Sequence, residues 1–153
     1  MSEFKLPTEV VELPSKGYLY SEESGLSSGK VEMKYMTAKE EDILTNQSYI
    51  SKGIVLDKLM KSLIVSKIQY DDLLVGDKNA IMVAARILGY GAEYNFSYLG
   101  EDQIVDLSKL ENKEIDEKLY KKGTNSFDYT LPHSKNRITF KILSNKDEKA
   151  IQR

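Results

Sequence analysis

The chain has 153 residues, 41% hydrophobic and 30% charged, with a formal net charge of −2 and no cysteine. That length holds one domain, or one domain with a small appendage, and buries roughly two thirds of its surface around a core that needs no staples. The near-neutral charge excludes binding to bulk nucleic acid or anionic membrane by charge alone. The missing cysteines exclude disulfides, thiolate catalysis and cysteine-ligated metals.

The opening "MSEFKLPTEVVELP" places Glu3 and Pro7 where a secretory leader needs a basic end and an apolar core. No apolar run approaches the roughly 20 residues of a membrane span. The expectation is a soluble chain that stays in the compartment where it is made. Ten Tyr, four Phe and no Trp form an aromatic bias suited to interfaces as well as cores, although strand propensity accounts for most of it.

Up to Met36, short apolar pieces alternate with turn chemistry. Pro14 to Gly17 forms a turn, Ser21 to Gly29 a polar loop, and "KVEMKYM" a strand whose Val31, Met33 and Tyr35 share one face. A helical zone follows. Thr37 and Glu40 have capping-box spacing, with Glu41 and Asp42 adding negative charge near the positive helix end, and that helix fades near Asn46. Gly53 marks a break. Leu56, Leu59, Met60, Leu63 and Ile64 then make an amphipathic stripe. Asp77 is placed to cap a third helix, "KNAIMVAARILG", ending at Gly89. Ala80, Ile81, Val83, Ala84, Ile87 and Leu88 surround most of its circumference, which predicts a buried central helix approached closely over its alanines, Ala84 and Ala85 included.

Past Gly91 the period changes to alternation. Tyr94, Phe96 and Tyr98 line one face of a strand, Gly100-Glu101-Asp102 turns it, and "QIVDL" returns. "LSKLENKEIDEKLY" is a charged connection with a short helix through Leu110, Ile115 and Leu119. Phe127, Tyr129 and Leu131 alternate, "PHSKN" turns, and Ile138, Phe140 and Ile142 alternate again, a second hairpin. Asn145 and Glu148 are placed to cap a closing helix, which at about two turns needs a neighbour. The fold class expected is therefore α+β: an N-terminal strand-turn-strand, a central zone of about three helices and C-terminal antiparallel hairpins. The division falls between 1–91, strands plus helical core, and 92–153, a β-rich subdomain.

No catalytic constellation emerges from this pass. The single histidine, His133, stands in a turn beside Pro132 without ligand-type neighbours. The acidic pairs Asp71-Asp72 and Glu40-Glu41 read as helix-start charge. "LGYGAEY" has Gly-x-Gly, but Tyr94 stands where a dinucleotide fingerprint wants its third glycine, and the helix comes before the strand. Tyr94, Phe96 and Tyr98 as base-stacking residues would need a basic groove, while 22 Lys and Arg face 24 acids. Core packing is the expected role of these aromatics.

"ELPSKGYLY" (12–20), "LSSGKVEMKYMTAKEEDILTN" (26–46), "KGIVLDKLMKSLI" (52–64) and "YDDLLVGDKNAIMVAARILGYG" (70–91) occur in that order. Together they resemble the T4-like baseplate hub and hub-assembly family of contractile-tail phages. The likeness continues more loosely through "DLSKLENKEIDEKLY" and "YTLPHSKNRITFKILSNKDEKAI". It implies a structural or chaperone-like assembly protein of the central hub, not an enzyme, with no cofactor and no metal. Its partners would be other hub or tail proteins, without a small-molecule substrate, a membrane or nucleic acid. Its location would be the host cytoplasm during assembly and the virion tail baseplate. Relatives of this type often carry a cysteine pair in the strand turn corresponding to Leu99-Gly100-Glu101, resembling a zinc ribbon. The family likeness therefore implies a zinc-less ribbon here, held by Tyr94, Phe96 and Tyr98. Relatives also run on past "DEKAIQR".

The candidate partner surface is Leu13, Pro14, Gly17, Tyr18, Leu19 and Tyr20, aromatics held on a rigid turn. Packing of the same residues on the helical stripe is the competing account. The alternative function is a degenerate zinc-ribbon-type module binding nucleic acid or a host regulatory factor.

Overall fold

A computed structural model describes residues 7–151. Glu3, on which the leader reading leans, lies outside that range, as do the last two residues. The described chain is mixed α+β, with five α-helices and three two-stranded antiparallel hairpins.

Strands β1 (Thr8–Glu12) and β2 (Lys30–Lys34) pair with Val11 opposite Val31 and Glu9 opposite Met33. Val31 and Met33 are fully buried. Tyr35 lies one residue past the strand. It is exposed, and its hydroxyl donates to Glu9 at 3.0 Å. The other edge of β2 is covered by the chain at 64–66: Val65 N–H donates to the Glu32 carbonyl, and Glu32 N–H donates to Ser66 Oγ. Between the strands the chain makes successive tight turns from Pro14 onward. Gly17 sits there at φ +76°, and a Cβ on it would stand 2.4 Å from the Ser27 carbonyl oxygen, so both conformation and space demand glycine. Leu26, within the stretch read as a polar loop, is fully buried.

Helix α1 (Ala38–Thr45) begins as its capping-box spacing predicts, with the Glu40 carboxylate accepting from Thr37 N–H and Oγ1. A short helix absent from the sequence reading follows, α2 (Gln47–Ser51), started by Asn46 accepting from Tyr49 N–H. On α3 (Val55–Leu63) the stripe buries Leu59, Met60 and Leu63. Leu56 is exposed because it borders an open cleft rather than a neighbouring element.

Helix α4 (Val75–Tyr90) corrects the expectations in two ways. It starts two residues before Asp77 and runs through Gly89, ending at Gly91 with φ +84°. Asp77 therefore lies in the first turn and aims inward instead of capping. Only Asp77, Ile81 and Ala85 are fully buried, one residue per turn, so α4 lies along the core with a single buried stripe and is not enclosed. Ala85, at 2% exposure, is the tightly packed alanine, while Ala84 borders a surface groove. Ala85→Leu is expected to overpack the core and cost about 1–3 kcal/mol, with Ala84→Leu close to neutral. Denaturant unfolding of the two variants checks this, and equal losses would contradict the helix orientation.

Strands β3 (Glu93–Tyr98) and β4 (Glu101–Asp106) join through Leu99-Gly100 alone. Both residues have positive φ, +52° and +85°, so Glu101 and Asp102 belong to the strand rather than the turn. The charged connection forms no continuous helix. It makes two 3₁₀ turns, Leu107–Lys109 and Glu117–Leu119, each begun by an aspartate (Asp106, Asp116) accepting from the backbone two residues on. Strands β5 (Phe127–Thr130) and β6 (Arg137–Phe140) form the expected second hairpin, with a register of Phe127 opposite Phe140 and Tyr129 opposite Ile138 that leaves Leu131 and Ile142 beyond the strands.

Helix α5 (Asn145–Ile151) is capped by Ser144 and Asp147, not by Asn145 and Glu148. Asn145 is buried, its N–H donating to the Leu73 carbonyl while Val75 N–H donates to that of Leu143. The last helix thus returns across position 91 to dock beside the start of α4. The core gathers Leu13, Leu19, Tyr20 and Leu26 from the turn region with Leu59, Met60, Leu63 and Leu73 from the helical zone.

Candidate interaction surfaces

The stretch singled out as a partner surface is mostly interior. Leu13, Gly17, Leu19 and Tyr20 are buried, and only Pro14 and Tyr18 are half-buried. The reason is a polar anchor beneath the turn. Asp77 accepts from Ser15 N–H at 2.9 Å, Ser15 Oγ at 2.6 Å and the Tyr20 hydroxyl at 2.6 Å, and that hydroxyl accepts from Leu74 N–H at 2.9 Å. Burial, and then the neighbouring Asp77, push the Tyr20 hydroxyl well above its ordinary pKa. The tyrosine packs on the helical zone, and its truncation removes a core ring. Sequence reading missed this anchor because an aspartate at a helix start is explained equally well as an N-cap.

A cleft of about 660 Å³ opens between α3, α4 and α5. Its charges neutralise one another. Lys149 meets Asp57 at 2.6 Å and Asp71 at 2.7 Å, Lys78 meets Glu148 and Asn145, and Tyr70 donates to Asp57. Burial acts against the charge on Lys149, but the two aspartates outweigh it and raise its pKa; Lys149 in turn lowers that of Asp71. These pairs hold α5 in place. Among the described residues no buried side-chain polar atom lacks a partner.

The exposed apolar surface lies elsewhere. Tyr94, Phe96 and Tyr98 share a face of the β3–β4 ribbon as predicted, but they are exposed, Tyr98 by 64%, so core packing is not their role. The Tyr94 and Phe96 rings lie 5.8 Å apart, and the Arg86 guanidinium sits over Tyr90 and Tyr94. Four carboxylates and no Lys or Arg occur between 93 and 106, a field that repels phosphate rather than inviting bases to stack. On the β5–β6 ribbon Tyr129, Ile138 and Phe140 are exposed, while Phe127 meets Tyr120 edge-on at 5.7 Å. A third apolar strip follows α4, where Ala80, Val83, Ala84 and Ile87 floor a groove of about 400 Å³ walled by Val11 and Pro14. Leu110 and Leu119, expected on a short helix, are exposed on the connection.

His133 is exposed in its turn, and among the described residues no three His, Cys, Asp or Glu side chains gather as a metal site. Among the described residues no helix is long and apolar enough to cross a membrane. Comparison with known proteins found no matching family model, no matching curated protein and no matching solved structure.

Proposed function

We propose that the chain is a structural or assembly protein of the tail-baseplate hub of a contractile-tail phage, acting through protein–protein contacts. The observation that carries this reading is the display of large apolar side chains on the faces of two ribbons, with a half-buried apolar groove along α4, the composition of contact surfaces. The ordered resemblance from Glu12 to Gly91 supplies the setting. The contact surfaces move from the Leu13–Tyr20 turn, most of which is buried, to the ribbons and the α4 groove, where Pro14 of that turn still forms a wall.

Co-expression of the tagged chain with the hub proteins of a contractile-tail phage tests the proposal. Stable co-purification is expected, together with its loss in Val83→Arg or Phe96→Asp at unchanged melting temperature. Salt-sensitive retention on nucleic acid, with no hub complex, would favour the regulatory-module reading instead.

A further inference from the structure

The two C-terminal ribbons differ in one respect that their shape does not require. The first, 93–106, carries four carboxylates and no Lys or Arg, whereas the second, 127–140, carries Lys135 and Arg137 against the single Asp128. Each ribbon is a sheet of two strands, and neither pairs with the other inside the chain. Separate tethers hold them. Arg86 grips the Gly91 and Glu93 carbonyls beneath β3, and Leu107 N–H donates to that of Ala92. The second ribbon is tied through Gly123 N–H to the Tyr18 carbonyl and through Asn125 to the backbone of Ile142.

We infer that each ribbon docks on the opposite ribbon of a second copy of this chain, acidic against basic. A two-stranded ribbon in water is marginal and gains stability from a third or fourth strand, and unpaired edges accept strands readily. Edge-to-edge pairing keeps alternate side chains on their own faces. It therefore joins Tyr94, Phe96 and Tyr98 of one copy to Tyr129, Ile138 and Phe140 of the next in one apolar face. The other face of the first ribbon carries Glu93, Asp102 and Asp106, and that of the second carries Arg137, with Lys135 at the tip. Arg137 already meets Asp128 at 2.7 Å, so docking adds acids around a partly neutralised guanidinium, while Lys121, Lys122 and Lys135 remain without an ion pair among the described residues. When both ribbons meet the same second copy the contact closes as a two-fold dimer, and when they meet different copies repetition closes it into a ring or extends it into a filament. This inference does not rest on the hub reading, since it concerns the purified chain alone.

Sedimentation velocity of the full chain over a concentration series tests it. Association is expected to grow with concentration and to weaken as the Debye length falls from about 10 Å at 0.1 M salt to about 3 Å at 1 M. Glu93→Lys with Asp102→Lys, or Lys135→Glu with Arg137→Glu, should each weaken self-association at least about tenfold, at unchanged circular dichroism. Lys135→Glu alone, which leaves the Asp128 pair intact, should weaken it in the same direction. Mixing the two double variants should restore association, because each then offers the other a complementary ribbon. A monomer at every concentration, association indifferent to both reversals, or a mixture that stays apart would overturn the inference.

Discussion

Asp77→Ala is expected to cost at least about 3 kcal/mol of folding stability, because each buried donor left without an acceptor costs roughly 1–3 kcal/mol and three depend on this carboxylate. Asp77 is 1% exposed and receives Ser15 N–H, Ser15 Oγ and the Tyr20 hydroxyl. These donors lie about 60 residues earlier in the chain, so the aspartate joins the turn region to the start of α4. Tyr20→Phe removes one donor together with the acceptor for Leu74 N–H, and should cost about 1–3 kcal/mol. The two changes should be non-additive in a double-mutant cycle, because they share a hydrogen bond. Strict additivity in guanidinium unfolding would dissolve the network. The pH dependence has a definite sign. The folded-state pKa of Tyr20 is raised above its ordinary 10.0, so its stabilising contribution is complete below pH 10 and is lost as pH rises beyond it. Tyr20→Phe should flatten that alkaline limb without abolishing it, since burial and Asp57 raise Tyr70 in the same direction.

Glu40→Ala is expected to destabilise the fold by about 3–5 kcal/mol, the range for removing one partner of a buried ion pair. The Glu40 side chain is fully buried, in the first turn of α1. It accepts from Lys34 Nζ at 2.8 Å, Ser62 Oγ at 2.6 Å and Thr37 N–H at 3.0 Å, joining β2, α1 and α3 through one carboxylate. Burial pushes its pKa up, but the Lys34 ammonium, Ser62 and Thr37 outweigh it and hold the group down at about 2. Its folded value thus lies below the ordinary 4.5. The stability it contributes is present above pH 4.5 and is lost as pH falls toward 2. Glu40→Gln keeps the shape and removes the charge, so stability measured against pH should lose part of its acid limb in that window. The remainder belongs to Asp71 and other carboxylates whose values are also lowered. An acid limb identical to that of the parent chain would show that Glu40 is not the group titrating there.

What the sequence alone determined were the elements whose cause is local. The Thr37–Glu40 spacing starts α1, period-2 alternation puts Phe127 with Tyr129 and Ile138 with Phe140 on shared strand faces, and apolar residues on one turn spacing bury Leu59, Met60 and Leu63. Leu99-Gly100 was legible as a turn but misplaced by a residue or two, because the register rests on backbone geometry at positive φ that composition does not reveal. The α5 capping set was shifted by one residue for a similar reason, since Ser144 and Asn145 are both good caps and docking against Leu73 selected between them. Only the tertiary structure decided which surfaces face inward. Tyr20 and Tyr98 are the same residue type beside similar neighbours, yet one is buried under Asp77 and the other stands 64% exposed on a ribbon. The difference comes from a hydrogen-bond partner 57 residues away in one case and from the lack of any third strand in the other. Alternation and periodicity report which side chains share a face, and long-range contact alone determines whether anything covers it.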